Sequence, residues 1–228
     1  MTVFEYTNKG SRDENQDYIV HGSLPDGSGI YIVADGMGGY SEGAAASKVV
    51  AESILESMTI NYGKNTPSAL IREAISYAND ALMLKRMALA AKQMGSVITI
   101  LLICDGYAHI SWLGDSRIYL YRDGKEVYRT EDHSILNELS KIKTLSASSI
   151  EKYAAIVTKS IMGEEPLDEA PVAKIEICEG DVFILCTDGV HKEIDMERVL
   201  NYDESKKEFF DSISETITDN YSFIKVVI

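Results

Sequence analysis

The chain has 228 residues, a length that fits one generous domain (1–228) built around one large hydrophobic core. Hydrophobic residues make up 45% and charged residues 25%, and there are only four prolines, which is typical of a globular protein without long disordered linkers. The chain carries 22 basic and 36 acidic residues, and this net charge of −14 disfavours binding to nucleic acid or to an anionic membrane surface.

The sequence shows no membrane or export signal. The longest apolar stretch, 97–104, is much shorter than the ~20 residues of a membrane-spanning helix. Residues 1–10 lack a basic segment followed by an apolar core, so we expect no signal peptide and a cytoplasmic location. The three cysteines lack CxxC spacing and predict buried free thiols: Cys104, Cys178 and Cys186. The histidines are too scattered to support a zinc site.

Strands and helices are predicted from hydrophobic periodicity, beginning with strands at 17–21 and 30–34. Apolar residues at four-residue intervals predict a helix over 44–58. A second helix is predicted to start at Thr66-Pro67, an N-cap followed by proline in the first turn, and to run to about residue 91. Short apolar or alternating runs then predict strands at 97–104, 107–113, 117–121 and 126–129.

Two Asp-Gly pairs, at 105–106 and 123–124, separate consecutive runs and predict tight hairpins. The remaining predicted elements are strands at 173–178, 182–186 and 223–227, a short helix at 195–200 and a third long helix at 204–218. Strands and helices are therefore segregated along the chain. This predicts an α+β fold rather than a doubly wound one.

Several aspartates lie beside predicted strands where a hairpin does not explain them. Asp35 and Asp188 each end an apolar run and precede a glycine, and no strand returns directly after either. Carboxylates at a strand end, with a glycine that permits close approach, suit a hard cation. Three more aspartates have a similar setting: Asp17, Asp115 and Asp219. A carboxylate set without histidine or thiolate favours Mg²⁺ or Mn²⁺ over Zn²⁺, although each aspartate alone could be solvated or a helix cap.

These aspartates belong to motifs that resemble, in order, those of the metal-dependent protein phosphatases of the PPM group, the type 2C serine/threonine phosphatases, in their bacterial form. The motifs are R-x-x-N-x-D at 12–17, V-A-D-G-M-G-G at 33–39, M-G-S at 94–96, L-G-D-S-R at 113–117, T-E-D-H-S at 130–134, L-C-T-D-G-V at 185–190 and D-N at 219–220. The resemblance implies a four-layer α-β-β-α sandwich, in which two antiparallel sheets pack face to face and each is covered by a helix pair.

The resemblance also implies the site. Asp35 would bridge two Mg²⁺ or Mn²⁺ ions, the Gly36 carbonyl would bind one, and Asp188 with Asp219 would bind the other; Asp17 would lie just behind these ligands. Asp115 matches an aspartate that helps to hold a third metal in bacterial relatives, but a simple turn explains its G-D-S setting equally well. The predicted catalytic residues are Arg12, Asp35, Asp188 and Asp219. Arg12 would contact the substrate phosphate, because a guanidinium fork suits two phosphoryl oxygens, or it is an ordinary surface arginine.

The implied reaction is in-line hydrolysis of phosphoserine or phosphothreonine by a metal-bridging water, without a covalent phosphoenzyme. Met37 stands where members from higher organisms carry a histidine, so the leaving group would be protonated by metal-bound water, and His133 is interpreted as structural. Gln16 replaces a glutamate seen in many members and predicts lower metal affinity. Residues 142–155 correspond to a variable flap beside the active site.

The implied partner is a phosphorylated protein, either a kinase or the target of one, so that the enzyme would oppose a kinase in signalling. We expect a monomer that binds neither nucleic acid nor a membrane. Two alternatives are a pseudophosphatase that binds a phosphoprotein without turnover, and a phosphatase of a small phosphorylated metabolite.

Overall fold

The computed structural model describes residues 1–24, 26–38, 40–142, 146, 150, 153 and 156–228, with the backbone alone for residues 40 and 41. Most of the flap expected at 142–155 lies outside these residues. No helix within the described ranges is both long and apolar enough to cross a membrane.

Two five-stranded antiparallel sheets form the centre of the molecule. Sheet I contains, in spatial order, β1 (Thr2–Asn8), β10 (Tyr221–Val227), β9 (Val182–Cys186), β6 (Arg117–Arg122) and β7 (Lys125–Arg129). Sheet II contains β2 (Asp17–Ser23), β3 (Gly29–Gly38), β4 (Met94–Cys104), β5 (Tyr107–Leu113) and β8 (Val172–Glu176). Both sheets therefore combine strands that are distant in the sequence.

Helices cover the outer face of each sheet. Two long helices, α1 (Tyr40–Asn61) and α2 (Pro67–Leu89), share a buried core with sheet II. Thr66 caps α2 by accepting a hydrogen bond from the Ala69 N–H at 3.4 Å. Shorter helices complete the fold: α3 (Ile135–Ser140), α4 (Asp188–Glu193), α5 (Met196–Leu200) and α6 (Lys207–Ser212). The last three share a second core with sheet I.

A third core lies between the sheets and joins them. Val33 and Leu101 of sheet II pack in one cluster with Phe183 and Ile224 of sheet I, and all four are fully buried. Burial of apolar side chains such as these supplies most of the favourable free energy that holds the layers together. The predicted four-layer α+β sandwich is confirmed, with one long helix pair on sheet II and short helices on sheet I.

Local predictions had mixed outcomes. The two Asp-Gly hairpins are confirmed, because Asp105 and Asp123 adopt left-handed conformations with φ of 51° and 52°. The single helix predicted at 204–218 is wrong, since α6 is flanked by separate 3₁₀ turns at Glu204–Lys206 and Ser214–Thr216. The hydroxyls of Ser212 and Thr216 donate to carbonyls three residues earlier and compete with helical hydrogen bonding there. Strand β1 was not predicted, and Cys178 is exposed, whereas Cys104 and Cys186 are buried as expected.

An ion pair with one buried partner, Asp181, ties β6 to the start of β9. Asp181 has no exposed side-chain surface, and its two carboxylate oxygens accept hydrogen bonds from Arg122 Nε and Nη2, both at 2.7 Å. Burial alone would raise the pKa of Asp181, but the hydrogen bonds from Arg122 and from the Cys178 backbone outweigh it and hold that pKa below its usual value. The carboxylate therefore stays charged and depends on its partner.

Replacing Arg122 by methionine should lower the free energy of unfolding by about 2–3 kcal/mol at neutral pH, because it leaves the buried Asp181 charge without its cation. Urea titration measures the change. Arg129→Met is the matched control, since its 3.8 Å contact with Glu126 is exposed and should be worth less than about 0.5 kcal/mol.

The difference between wild type and Arg122→Met should also depend on pH. Asp181 has a lowered folded-state pKa, so its stabilising contribution is present above its usual pKa and is lost as the pH falls through the folded value. A difference that stayed constant on acidification to about pH 2 would contradict this role.

Candidate active site

The strand registers bring the predicted aspartates to one end of the sandwich. In sheet II, Asp17 lies directly opposite Asp35. In sheet I, Cys186 at the end of β9 lies opposite the first residue of β6 and opposite Phe223 of β10. The three segments that carry the remaining aspartates therefore meet at this end: Asp115 before β6, Asp188 after β9 and Asp219 before β10.

Asp35 lies inside a strand, contrary to the prediction that it ends one. Strand β3 continues to Gly38, and β4 pairs with it as far back as Met94. The backbone around Asp35 is further held by the Ser96 hydroxyl, which donates to the Asp35 carbonyl at 3.0 Å. Asp35 is thus placed by a continuous ladder on both sides rather than by a free loop.

Gly36 is required by close packing of backbone. Its N–H donates to the Gln16 carbonyl at 3.0 Å, and a Cβ at this position would lie 2.0 Å from the Gly43 carbonyl oxygen at the start of α1. No side chain fits there without moving β3 or α1. The glycine therefore lets the helix approach the strand that carries Asp35.

Two hydrogen bonds cross between the sheets at the site. The Thr187 hydroxyl, next to Asp188, donates to Asp17 Oδ2 at 2.9 Å. The Gln16 backbone N–H, directly before β2 of sheet II, donates to Asn220 Oδ1, directly before β10 of sheet I, at 2.8 Å. These contacts fix the spacing between the aspartates of sheet II and those of sheet I.

Asn220 also organises the loop that carries Arg12. Its side-chain amide donates to the carbonyls of Lys9 at 2.8 Å and Glu14 at 3.0 Å. No role was predicted for Asn220, although the D-N motif at 219–220 includes it. Its position directly after an aspartate and before a strand-forming run is a further signal in the sequence.

The carboxylates repel one another in a poorly solvated place. Burial, opposed by hydrogen bonds from Ser222 and Thr187 and assisted by the charges of Asp188 and Asp219, raises the pKa of Asp17 to about 7. Burial also raises the pKa of Asp35 well above its usual value, with added repulsion from Asp17 and Asp188. The charged forms of Asp17 and Asp35 are therefore costly until a cation compensates them.

Two basic side chains already contact this group. Arg12 Nη2 donates to Asp219 Oδ2 at 2.9 Å, and Lys192 Nζ donates to Asp188 Oδ2 at 2.7 Å and to Asp115 Oδ2 at 3.3 Å. Lys192 was missed by the sequence analysis, although a lysine four residues after an aspartate at the start of a helix faces that aspartate. Asp188 and Asp115 hold the pKa of Lys192 above its usual value, against the opposing effect of burial.

A cleft of about 560 Å³ opens beside these residues. Its lining includes Arg12, Asp13, Glu14, Asp35, Gly36 and Asp219, whereas Asp17, Asp115 and Asp188 are not among the lining residues. His133 is not among the described residues that line the cleft. It stacks on Trp112 with ring centroids 5.6 Å apart, and its Nδ1 accepts a hydrogen bond from the Gly114 N–H at 3.3 Å, contacts that suit a structural histidine.

The donor chemistry of this end fits divalent metal ions. Asp17 Oδ1 is buried and accepts no hydrogen bond within the described part of the chain. The atoms nearby that could bind a metal ion are carboxylate and carbonyl oxygens, the ligands that Mg²⁺ and Mn²⁺ prefer. In their present positions, no three acidic, histidine or cysteine side chains of the described residues converge closely enough to hold an ion. Three of these aspartates form ion pairs instead: Asp219 with Arg12, and Asp115 and Asp188 with Lys192.

Comparison with known proteins agrees with this chemistry. A family model described as Protein phosphatase 2C matches residues 7–222. The chain belongs to the protein phosphatase 2C family. The family is metal-dependent, and the predicted resemblance and the predicted enzyme class, a phosphoprotein phosphatase, are confirmed.

Several known protein phosphatases resemble this chain in sequence or in structure. Protein phosphatase PhpP of Streptococcus pneumoniae is 30% identical over 189 residues, covering 78% of this chain and 74% of PhpP. A serine/threonine phosphatase of S. agalactiae superposes with a TM-score of 0.83 at 25% identity, covering 100% of this chain and 99% of that one. The catalytic domain of PstP, solved in complex with two manganese ions, superposes with a TM-score of 0.81 at 22% identity, covering 98% and 96%.

The repulsion among the aspartates leads to a prediction for Asp35→Asn. The variant should be more stable than wild type in EDTA, because it removes a buried charge that repels Asp17 and Asp188. Each kcal/mol so gained should raise the thermal midpoint by roughly 2–4 °C in a chain of this size. With Mn²⁺ the order should reverse, since wild type gains about 2.7 kcal/mol at a hundred times the dissociation constant.

Thermal melts in EDTA and in Mn²⁺ test both effects. Asp80→Asn is the control, because Asp80 is an exposed aspartate of α2. A wild-type midpoint that is the same in EDTA and in saturating Mn²⁺ would contradict metal binding at this end of the sandwich.

Proposed function

We propose that this chain is a Mg²⁺- or Mn²⁺-dependent protein serine/threonine phosphatase that opposes a protein kinase in signalling. The observation that carries the proposal is the gathering of five aspartates at one end of a two-sheet sandwich, beside an arginine in an open cleft. Carboxylates gathered at one end of a fold repel one another, and burial adds to the cost for Asp17 and Asp35, so their presence favours a function that uses cations.

The proposal assigns the metal group to residues of both sheets. The residues that would hold two ions are Asp35, the Gly36 carbonyl, Asp188 and Asp219, with Asp17 behind them and Asp115 beside Asp188. Such ions, when bound, supply an activated water at neutral pH and offset the negative charge of the phosphoryl group.

Arg12 is suited to hold the substrate phosphate. Its side chain is 58% exposed at the cleft, and one N–H···O bond links it to Asp219. A guanidinium group has five N–H donors, so contact with Asp219 is compatible with further bonds to phosphoryl oxygens. Asp219 would orient Arg12 as well as serve the metal group.

The remaining groups near the site support direct hydrolysis. Burial raises the pKa of the Cys186 thiol, which disfavours a thiolate nucleophile two residues before Asp188. No histidine is among the described residues that line the cleft. These features are compatible with the expectation that no covalent phosphoenzyme forms and that metal-bound water, rather than a histidine, protonates the leaving group.

The substrate is proposed to be a phosphorylated protein rather than a small metabolite, because the cleft is open and its rim continues into an exposed surface. We further propose one domain over 1–228, since the family model matches 7–222. A monomeric state and a cytoplasmic location stay predictions.

Phosphate release from a phosphothreonine peptide tests the function. Wild type should release phosphate with Mn²⁺ or Mg²⁺ and not with EDTA. Asp188→Asn should lose at least about a hundredfold in kcat, because it removes a proposed ligand of the ions that offset the developing negative charge. Asp80→Asn, at an exposed position of α2, should match wild type.

The outcomes separate the alternatives. Release from small phosphorylated metabolites but from no phosphopeptide would replace the protein substrate with a metabolite. Binding of Mn²⁺ and of phosphoprotein without release from either class would indicate a pseudophosphatase. Equal rates for wild type and Asp188→Asn would contradict the proposed site.

The charge of the cleft predicts a preference among peptides. Asp13 and Glu14 line the cleft next to Arg12, and the whole chain carries a net charge of −14. Phosphopeptides with lysine or arginine beside the phosphorylated residue should show kcat/KM higher by about tenfold than peptides with acidic neighbours, and added salt should reduce the ratio. Replacing Asp13 and Glu14 by Asn and Gln should reduce the ratio of kcat/KM between the two kinds of peptide. An unchanged ratio would contradict a role for these two side chains in peptide preference.

A further inference from the structure

Lys192 places a positive charge between two aspartates at the edge of the candidate site. Its Nζ lies 2.7 Å from Asp188 Oδ2 and 3.3 Å from Asp115 Oδ2. The Asp115 side chain is 9% exposed and that of Asp188 19%, whereas the Lys192 side chain is 43% exposed. The lysine thus reaches in from the surface to two carboxylates that are largely shielded from water.

The helix that carries Lys192 fixes it in this position. Asp188 begins α4 and Lys192 follows four residues later, on the same face of the helix. The neighbouring His191 contacts the Asp115 backbone carbonyl through Nε2 at 2.9 Å. This contact attaches the β5–β6 turn to α4, so Asp115, Asp188 and Lys192 are positioned relative to one another.

A divalent ion shared by Asp115 and Asp188 would compete with this ammonium group. An ion bound to the same two Oδ2 atoms would take oxygens at about 2.0–2.6 Å and would lie next to Nζ. Two adjacent cations in a poorly solvated place repel strongly. The lysine and such an ion therefore exclude each other from these oxygens.

We propose that Lys192 takes the place of a third divalent ion between Asp115 and Asp188, so that the chain binds two such ions rather than three. Lys192 then acts as a positioning residue: it neutralises Asp115 and orients Asp188 toward the metal group. This inference rests on the proposed function, because it concerns the same metal group.

Counting bound Mn²⁺ tests the inference without using activity. Equilibrium dialysis of the full chain should give two ions per wild-type molecule and three for Lys192→Met, which keeps the length of the side chain and removes its charge. Lys192→Arg should restore two. The third ion should bind on the order of ten- to a hundredfold more tightly to Lys192→Met than to wild type.

Two further variants serve as controls. Lys48→Met removes another exposed lysine that pairs with a carboxylate four residues away on a helix, Glu52 at 3.9 Å, and should leave two ions. Asp115→Asn combined with Lys192→Met should return the count from three to two. Should Lys192→Met fold poorly without metal, its thermal midpoint should rise with Mn²⁺ by more than that of wild type.

The results distinguish the inference from the proposed function. Three ions in wild type together with Mn²⁺-dependent phosphate release would overturn the role of Lys192 and leave the phosphatase proposal standing. Two ions in both wild type and Lys192→Met would also overturn it. Absence of Mn²⁺ binding by every variant would overturn both proposals.

Discussion

Asp17 and Asp35 face each other across neighbouring strands, and neither can move away without breaking the ladder that carries it. Strand β3 pairs with β2 on one side and with β4 on the other, so the position of Asp35 is set by backbone hydrogen bonds in both directions. The apolar layers above and below this ladder supply the stability that holds two acidic groups together. The arrangement of the whole site follows from this forced proximity.

Cations of two kinds can offset the resulting repulsion. Arg12 and Lys192 belong to the chain and contact Asp219, Asp188 and Asp115 from the outside. Divalent ions would act from within the group. The chain therefore accepts an electrostatic cost in its metal-free state in order to keep these aspartates at one end of the sandwich, a common relation between stability and activity in enzymes.

The success of sequence-based prediction depended on how local the signal was. The long helices and the Asp-Gly hairpins are encoded within a few consecutive residues, and the acidic motifs appear directly in the chain. The position of Asp35 inside a strand depended on pairing with β4, which is distant in the sequence. The helix predicted at 204–218 is interrupted near Ser212 and Thr216, whose side-chain hydrogen bonds to the backbone are not detected by hydrophobic periodicity. The role of Asn220 arises only when the segment before β2 meets the segment before β10. The contact of Lys192 with Asp115 arises only when β6 pairs with β9.

The division of the candidate ligands between two sheets links metal geometry to sliding of one sheet over the other. Asp35 belongs to sheet II, whereas Asp188 and Asp219 flank strands of sheet I, and the Thr187–Asp17 hydrogen bond links the two at this end. Metal–oxygen distances tolerate deviations of only about 0.2 Å. The interdigitated side chains between the sheets, such as Phe183, therefore set the precision of the site at a distance from it. In mechanical terms, the resistance of the two sheets to shear would determine how precisely the proposed metal ligands are held relative to one another.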